Sequence, residues 1–424
     1  MERYGEYRNC PLSGIKEIPR HWEMHRIKWL LSERIEKSKD GLGEPLSMSQ
    51  KLGIVPTKEM DIIPNMASSY IGAKKVQQGD LVFNKLKAHL GVFAVSNYDG
   101  LVSPDYAVYI PTERIHLPYL ELLLRTQYYI TEFRKKTTGV AIGLTRLYTD
   151  GLFGISAIYP PIAEQEKIVS YLESKTSKID AYVADKEKEI QLLQELKQKT
   201  IAEAVTKGLN PNVKMKDSGI SWLGMIPEHW ETKRIASLFT GKVKANTDFE
   251  CHHAFKFYYG TLVPKEETGD IEEYRDTYVK YSVLQKDDIM INGLNLNYDF
   301  ISQRVAIAPS DGIITSAYVV ARPRKGTNAQ YYNYLFKTMD NMKLFHGMGT
   351  GIRLTLSFDE LKKQLVVVPP QEEQRAIVAY IEEKCQKIDT LITELQAEID
   401  YLKEYKQRLI ADVVTGQVNV QNEI

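Results

Sequence analysis

The sequence predicts an α+β protein. Two homologous mixed α/β bodies are separated by two long helices that pair as an antiparallel coiled coil, giving the chain a pseudo-two-fold internal repeat. Three observations carry this. The stretch PPIAEQEKIVSYLESKTSKID, Pro160 to Asp180, returns 209 positions later as PPQEEQRAIVAYIEEKCQKID, Pro369 to Asp389. Both copies run on into tails with apolar residues at seven-residue spacing, the mark of a coiled-coil seam. The segments before each copy share further motifs in the same order, so the bodies are duplicated too.

The first body spans 1–159 and opens with SGIKEIPRHWEMHRI, Ser13 to Ile27; the second spans 218–368 and opens with SGISWLGMIPEHWETKRI, Ser218 to Ile235. Their common core is IPxHW, which makes Trp22 and Trp230 packing anchors at equivalent starts. GIVPTKE (Gly53 to Glu59) matches TLVPKEE (Thr261 to Glu267), and DGLVSPDYAVYIP (Asp99 to Pro111) matches DGIITSAYVVARP (Asp311 to Pro323). VQQGDLVFN (Val76 to Asn84) and LQKDDIMIN (Leu284 to Asn292) alternate apolar and polar residues, the pattern of a half-buried strand entering a loop. Asn84 and Asn292, shared by both bodies, read as turn caps. LPYLELLLRT (Leu117 to Thr126) and AQYYNYLFKT (Ala329 to Thr338) each predict a short amphipathic helix followed by a Gly/Thr loop. Most of the 26 tyrosines, the Tyr258-Tyr259 pair included, fit core strands and buried helices, where tyrosine suits a pleated, half-buried surface.

The long helices are predicted over 160–207 and 369–416, with a linker at 208–217 and a tail at 417–424. In the second, Ile381, Ile388, Leu395, Leu402 and Leu409 fall every seven residues, with Leu391 and Tyr405 on the adjoining seam position and Ile392 and Ile399 beside them. The first keeps Leu172, Ile179, Leu193, Val183 and Ile190 but places Lys186 in the seam, a polar interruption of the kind that fixes register and partner. Each helix would run roughly 65 Å at the α-helical rise, too long to be buried in either body. Each leaves its body with the same chain polarity, so burying both seams against each other requires antiparallel pairing. The other way to cover the seams is to pair with helices of another molecule, the duplication then serving oligomerisation.

Charge divides the chain in the same way. Residues 163–206 carry seven Lys against nine Asp and Glu, and 371–415 carry six Lys and Arg against ten acidic residues; the chain as a whole is neutral, so the remainder holds +6. Basic bodies on acidic helices suit contact with a polyanion by the bodies and with protein by the helices, although solvated helices are often acidic for no further reason. No run of eighteen apolar residues exists and MERYGEYRNC is too polar for a signal peptide, so the expected location is cytoplasmic and no membrane is involved. Cys10, Cys251 and Cys385 lack CxxC spacing and read as inert thiols, and Cys251, His252 and His253 on one strand would point to opposite faces, so no metal site is expected.

PPIAEQEKIVSYLESKTSKID and PPQEEQRAIVAYIEEKCQKID, with an IPxHW opening to each body, resemble the specificity subunit of Type I restriction–modification systems over essentially the whole chain. The resemblance implies that each body is a target recognition domain for one half of an asymmetric bipartite double-stranded DNA sequence. It implies that the paired helices set the unread gap and dock two methyltransferase subunits that modify adenine N6, and that restriction/translocase subunits join them. S-adenosylmethionine, ATP and Mg would then sit on the partners and no cofactor on this chain. Catalysis is not expected here. The Pro-Pro pairs are followed by Ile162 and Gln371 where an adenine methyltransferase needs Asn/Asp-Pro-Pro-aromatic, GxxxxGK[ST] is absent, and paired carboxylates such as Asp287 and Asp288 are the normal yield of any chain this long.

Base-edge readout needs long polar side chains on loops that can enter a groove. The candidates after the shared strand are Lys85, Lys87 and His89 in the first body and Asn295, Asn297 and Tyr298 in the second. A second pair of segments supplies Lys135, Lys136, Thr138 and Arg146 against Thr350 and Arg353, where glycines let backbone approach phosphate. An ordinary polar hairpin is the plain alternative for each. The functional alternatives are a coiled-coil interaction scaffold without DNA specificity and a self-contained DNA-modifying enzyme.

Overall fold

A computed structural model describes residues 2–12, 14–50, 52–60, 69–139, 145–298 and 303–422. The chain forms two compact units, Met1–Glu187 with Ala397–Ile424, and Lys188–Gln396. Each unit thus contains one mixed domain, the start of one long helix and the end of the other.

At the heart of each domain is a four-stranded antiparallel sheet of the same order. In the first unit the strands run Leu31–Glu33, Tyr106–Pro111, Leu81–Asn84, Phe93–Val95; in the second, Phe239–Thr240, Val319–Pro323, Ile289–Ile291, Val305–Ile307. The central strands are buried on both faces, not one as their alternation suggested. Leu81 and Phe83 enter the main core while Val82 enters a smaller cluster with Met48 and Ile54; Ile289 and Ile291 likewise face the main core and Met290 a second cluster with Phe255 and Leu262. A hairpin over the outer face supplies the extra cover, Leu46–Ser49 with Gly53–Pro56 in one domain and Phe255–Tyr258 with Thr261–Pro264 in the other.

The two diagnostic motifs explain each other. The strand after IPxHW pairs with the strand before Pro-Pro: Glu23–Arg26 with Ser156–Tyr159, and Glu231–Arg234 with Leu365–Val368. This brings Trp22 and Trp230, 1% and 0% exposed, to the first turn of a long helix. There Trp22 Nε1 donates to Glu164 at 3.0 Å and His21 Nε2 lies 2.8 Å from the same carboxylate, which also accepts from the Tyr4 hydroxyl at 2.7 Å. Trp230 and His229 make the same pair of contacts to Glu373, at 2.7 and 2.5 Å. The neighbouring glutamines, Gln165 and Gln374, each donate at 2.8 Å to the carbonyl of the proline five residues before. A buried indole N–H needs such an acceptor, so the motif letters are a satisfied hydrogen-bond set.

The long helices span Ile162–Lys207 and Gln371–Val414. Within the first unit, Asp180 bonds Lys406 at 2.6 Å and Glu187 bonds Lys403 at 3.2 Å, while Ile168 and Leu172 share a core with Leu409 and Val413. Within the second, Lys197 bonds Asp389 and Ala204 shares a core with Ile377 and Ile381. Inside each unit the helices therefore run antiparallel. Half-buried or buried positions step alternately by four and three: Leu172, Thr176, Ile179, Val183, Lys186, Ile190, Leu193 on one helix and Ile381, Cys385, Ile388, Ile392, Leu395, Ile399, Leu402, Lys406, Leu409 on the other. This corrects one expectation. Leu391 and Tyr405 are 48% and 37% exposed, because the seam advances by four from each Ile or Leu and so takes Ile392 and Lys406 instead. Lys186 in the seam meets Glu398 of the opposing helix at 3.7 Å.

The helix ends are docked by the domain of the same unit. Tyr331 donates to the Val205 carbonyl at 2.7 Å, and Tyr119 to the Val414 carbonyl at 2.9 Å. Gly208 and Gly416 follow these ends with φ of +78° and +75°; a Cβ on Gly208 would lie 3.1 Å from the Trp230 ring, and one on Gly416 would lie 2.4 Å from Pro19 and 3.3 Å from Trp22. Each IPxHW tryptophan is thus held between the start of one helix and the end of the other.

Candidate nucleic-acid interface

The two candidate segments of each domain meet at the end of the central strand. In the first domain Asn84 Oδ1 accepts from the Leu86 amide, the predicted turn cap, and a short 3-10 turn, Ala88–Leu90, follows. The Leu147 amide donates to the Lys85 carbonyl at 3.0 Å, and Thr138 and Arg146 exchange two backbone hydrogen bonds. So Lys85, Lys87, His89, Thr138 and Arg146 lie on adjoining loops. Lys87 and Thr138 are exposed, Lys85, His89 and Arg146 half-buried. Residues 140–144 of this segment lie outside the described residues. Lys135 and Lys136, expected in a loop, are the last turn of a helix, Gln127–Lys136. Tyr129, Ile130 and Phe133 give that helix a buried stripe, and its Arg134-Lys135-Lys136 end suits the negative pole of the helix dipole. Both lysines remain exposed, with Lys135 paired to Glu132 at 2.6 Å.

Burial lowers the Lys85 ammonium pKa, and the neighbouring Lys74 charge lowers it further. Burial alone would raise Glu33, but the Thr149 hydroxyl at 2.7 Å and Lys74 at 3.0 Å hold it below the usual carboxylate range. Arg146 lies 3.6 Å from Asp105. The cations at this edge are therefore partly fixed by acids of the same domain.

In the second domain Asn292 Oδ1 caps the Leu294 amide at 3.2 Å, the twin of Asn84. Backbone bonds join the two loops, from Leu296 to the Leu354 carbonyl at 3.1 Å and from Leu356 to the Gly293 carbonyl at 2.9 Å, and Asn297 Nδ2 reaches the Ile352 carbonyl at 3.3 Å. Thr350 pairs with Thr355 across the second loop. Gly293 is required by this approach, since a Cβ there would stand 2.5 Å from the Leu356 carbonyl oxygen. Asn292, Leu294, Asn295, Tyr298 and Arg353 line an open cleft of about 600 Å³. Tyr298 is 77% and Ile352 95% exposed, and Asn295 has a φ of +51°, which asparagine tolerates better than most residues.

Sequence reasoning missed what supports this second pair of loops. Arg304 is buried, its guanidinium donating to the carbonyls of Asn292 at 3.0 Å and Leu294 at 2.8 Å, and its amide to Asp340 at 2.6 Å. Burial raises the Asp340 pKa above the usual carboxylate range. An arginine preceding an alternating strand gives no signal of this role. Asp288, half of the carboxylate pair noted above, is buried in an ion pair with Arg322 at 2.7 Å, as Asp80 is with Arg34 at the equivalent place. The tyrosine expectation fails at one point: Tyr258 and Tyr259 are 58% and 73% exposed at a hairpin tip, not in a core. Burial raises the thiol pKa of Cys10 and Cys385, in keeping with inert cysteines. Among the described residues no helix is long and apolar enough to cross a membrane.

Residues 227–401 match the family described as Type I restriction modification DNA specificity domain. Over that stretch the chain is similar to a Type I DNA specificity domain. The matched residues include the cleft of Asn292, Asn295, Tyr298 and Arg353 and most of the second long helix, from Gln371 to residue 401. Across 292 residues the chain is 23% identical to the Type I restriction enzyme EcoBI specificity subunit of Escherichia coli, covering 62% of this chain and 58% of that protein, so the match spans little more than half of the relative's length. The fold is that of the specificity subunits. The HsdS subunit from Thermoanaerobacter tengcongensis superposes with a TM-score of 0.54 at 16% identity, covering 96% of this chain and 99% of that one. A chain from a structure of type I R-M complex assembly and conformational transition superposes with 0.69, also at 16% identity, covering 95% and 99%. The resemblance read from the repeated motifs thus holds for the fold across the chain and for the family model over residues 227–401.

Proposed function

We propose that this chain is the DNA-recognition subunit of a Type I restriction–modification assembly and performs no catalysis itself. Each domain reads one half-site of an asymmetric duplex sequence through its paired loops, and the antiparallel helices set the unread gap. Two methyltransferase subunits dock on the acidic helices and modify adenine, restriction/translocase subunits complete the assembly, and S-adenosylmethionine, ATP and Mg act on those partners. The setting is the cytoplasm.

One observation supports this reading above the others. The same scaffold presents the same two loops in both domains, with the same asparagine cap and leucine, yet the residues between differ, Lys85 and Lys87 against Gly293 and Asn295. Conserved support under divergent tips is what two readers of different sequences require. Methylation-site mapping in cells carrying the complex tests it, the expected result being one discontinuous asymmetric motif that disappears when this chain is deleted. A methylation pattern unchanged by the deletion would overturn the reading.

A further inference from the structure

In both domains the outer hairpin packs beside the strand that follows the first candidate loop. In the first, Gln50 at the hairpin tip donates through Nε2 to the Leu90 carbonyl at 3.1 Å. In the second, the tip is Tyr258-Tyr259-Gly260-Thr261, and a Cβ on Gly260 would lie 2.6 Å from Gln303, just before the strand Val305–Ile307. The tips differ between the domains as the loops do.

The second tip carries a residue that folding alone disfavours. Tyr258 pairs with Thr261, leaving a two-residue turn whose central residues have φ of +43° and +72°, the type I′ pattern that asparagine followed by glycine serves best. A bulky residue at positive φ is an outlier that points to function. Tyr259 is 73% exposed and makes an edge contact with exposed Tyr258 at 4.7 Å between ring centroids, so its ring buries no core surface in return. Lys256, two residues back on the same strand face, is also exposed, while Phe255 turns inward. A lysine and two exposed phenol hydroxyls at one hairpin tip suit a phosphate backbone, since the hydroxyls donate and the ammonium neutralises.

Resting on the function proposed above, we infer that this hairpin tip is a third DNA-contacting element of the second domain. Tyr258 and Tyr259 donate hydrogen bonds to duplex phosphates beside the half-site that this domain reads. They position the domain on DNA.

The test uses the full chain assembled with its methyltransferase partners and a duplex bearing the mapped motif, with affinity measured over a salt series. Replacing both residues by phenylalanine (Y258F with Y259F) should weaken binding roughly tenfold, the cost of losing hydrogen bonds to a charged acceptor. The salt slope should stay unchanged, because a phenol carries no charge to release counterions; Arg353→Ala should lower that slope by about one. Tyr259→Asn should fold at least as stably by thermal melting and still bind weakly, a combination that a purely structural tyrosine would not give. Wild-type affinity in the tyrosine variants, alongside weakened binding by Arg353→Ala, would overturn the hairpin inference alone. Loss of methyltransferase assembly with DNA affinity intact would make the tip a protein-docking site and also overturn it. If the wild-type complex shows no salt-dependent binding to the motif, the underlying reading fails and takes this inference with it.

Discussion

Lys197 Nζ lies 2.7 Å from both carboxylate oxygens of Asp389, and 209 positions away the same pair recurs with the chain order reversed, Lys406 on Asp180 at 2.6 Å. In each pair the lysine occupies a seam position and the aspartate flanks it, one pair in each unit. They register the helices by charge where the apolar seam alone would permit slippage.

Reversing one of these charges should cost little stability and be repairable. Lys197 and Asp389 side chains are 31% and 56% exposed, so Lys197→Glu should destabilise by only about 0.5–1 kcal/mol. Adding Asp389→Lys should restore the denaturation midpoint. Failure of the second change to rescue would show that the pair does not carry register.

Glu164→Ala should be far more costly, about 2–4 kcal/mol in chemical denaturation, since it strips acceptors from the buried Trp22 indole and the Tyr4 hydroxyl together. Glu373→Ala should cost about half as much, because Glu373 is 40% exposed at its side chain and water can replace it. Equal losses at the two sites would contradict this ranking.

Asp340 should give the second unit a measurable pH dependence. Its folded-state pKa is raised, mainly by burial, so the stability tied to its proton is fully present below the ordinary aspartate value near pH 4 and is lost as pH rises through the higher folded value. Asp340→Asn keeps an acceptor for the Arg304 amide without the ionisation. Its melting temperature should therefore gain on the wild type as pH rises from about 4 toward neutrality. A difference constant across that range would refute the assignment.

Exchanging Ser13–Tyr159 for the corresponding domain of another such chain should change one half-site of the methylation motif and leave the other intact. Arg304→Met, which removes the donor to the Asn292 and Leu294 carbonyls, should weaken readout of the opposite half-site only, by about tenfold. Altered readout of both halves in either variant would contradict independent reading.

A seven-residue insertion near Lys186, matched in the facing helix, preserves the alternation of fours and threes in the seam. At about 1.5 Å per helical residue against about 3.4 Å per base pair, it should widen the unread gap by roughly three base pairs without altering either half-site. Mapped motifs with unchanged spacing would count against a spacing role.

The repeat and the two long helices were legible because they rest on periodicity, which a sequence displays directly, and their antiparallel sense followed from the shared chain polarity with which each leaves its body. Tryptophan anchors and asparagine caps were legible too, each being a local residue with few alternative uses. The choice of Ile392 over Leu391 was not, since both lie near a seven-residue seam and only the packed partner decides. Arg304 and the hairpin tip were invisible for a different reason. Their neighbours are brought by tertiary contact, Asn292 and Leu294 to the one and Gln303 to the other, and no spacing rule announces a buried arginine or a tyrosine at positive φ.

Because Tyr119 and Trp22 close on Val414 and Gly416, the unit that begins translation first is completed last. A nascent chain released by the ribosome at residue 396 already holds every residue of the second unit, yet leaves the first with an open tryptophan and an unanswered tyrosine hydroxyl. Truncation after residue 396 should therefore damage the first unit and spare the second.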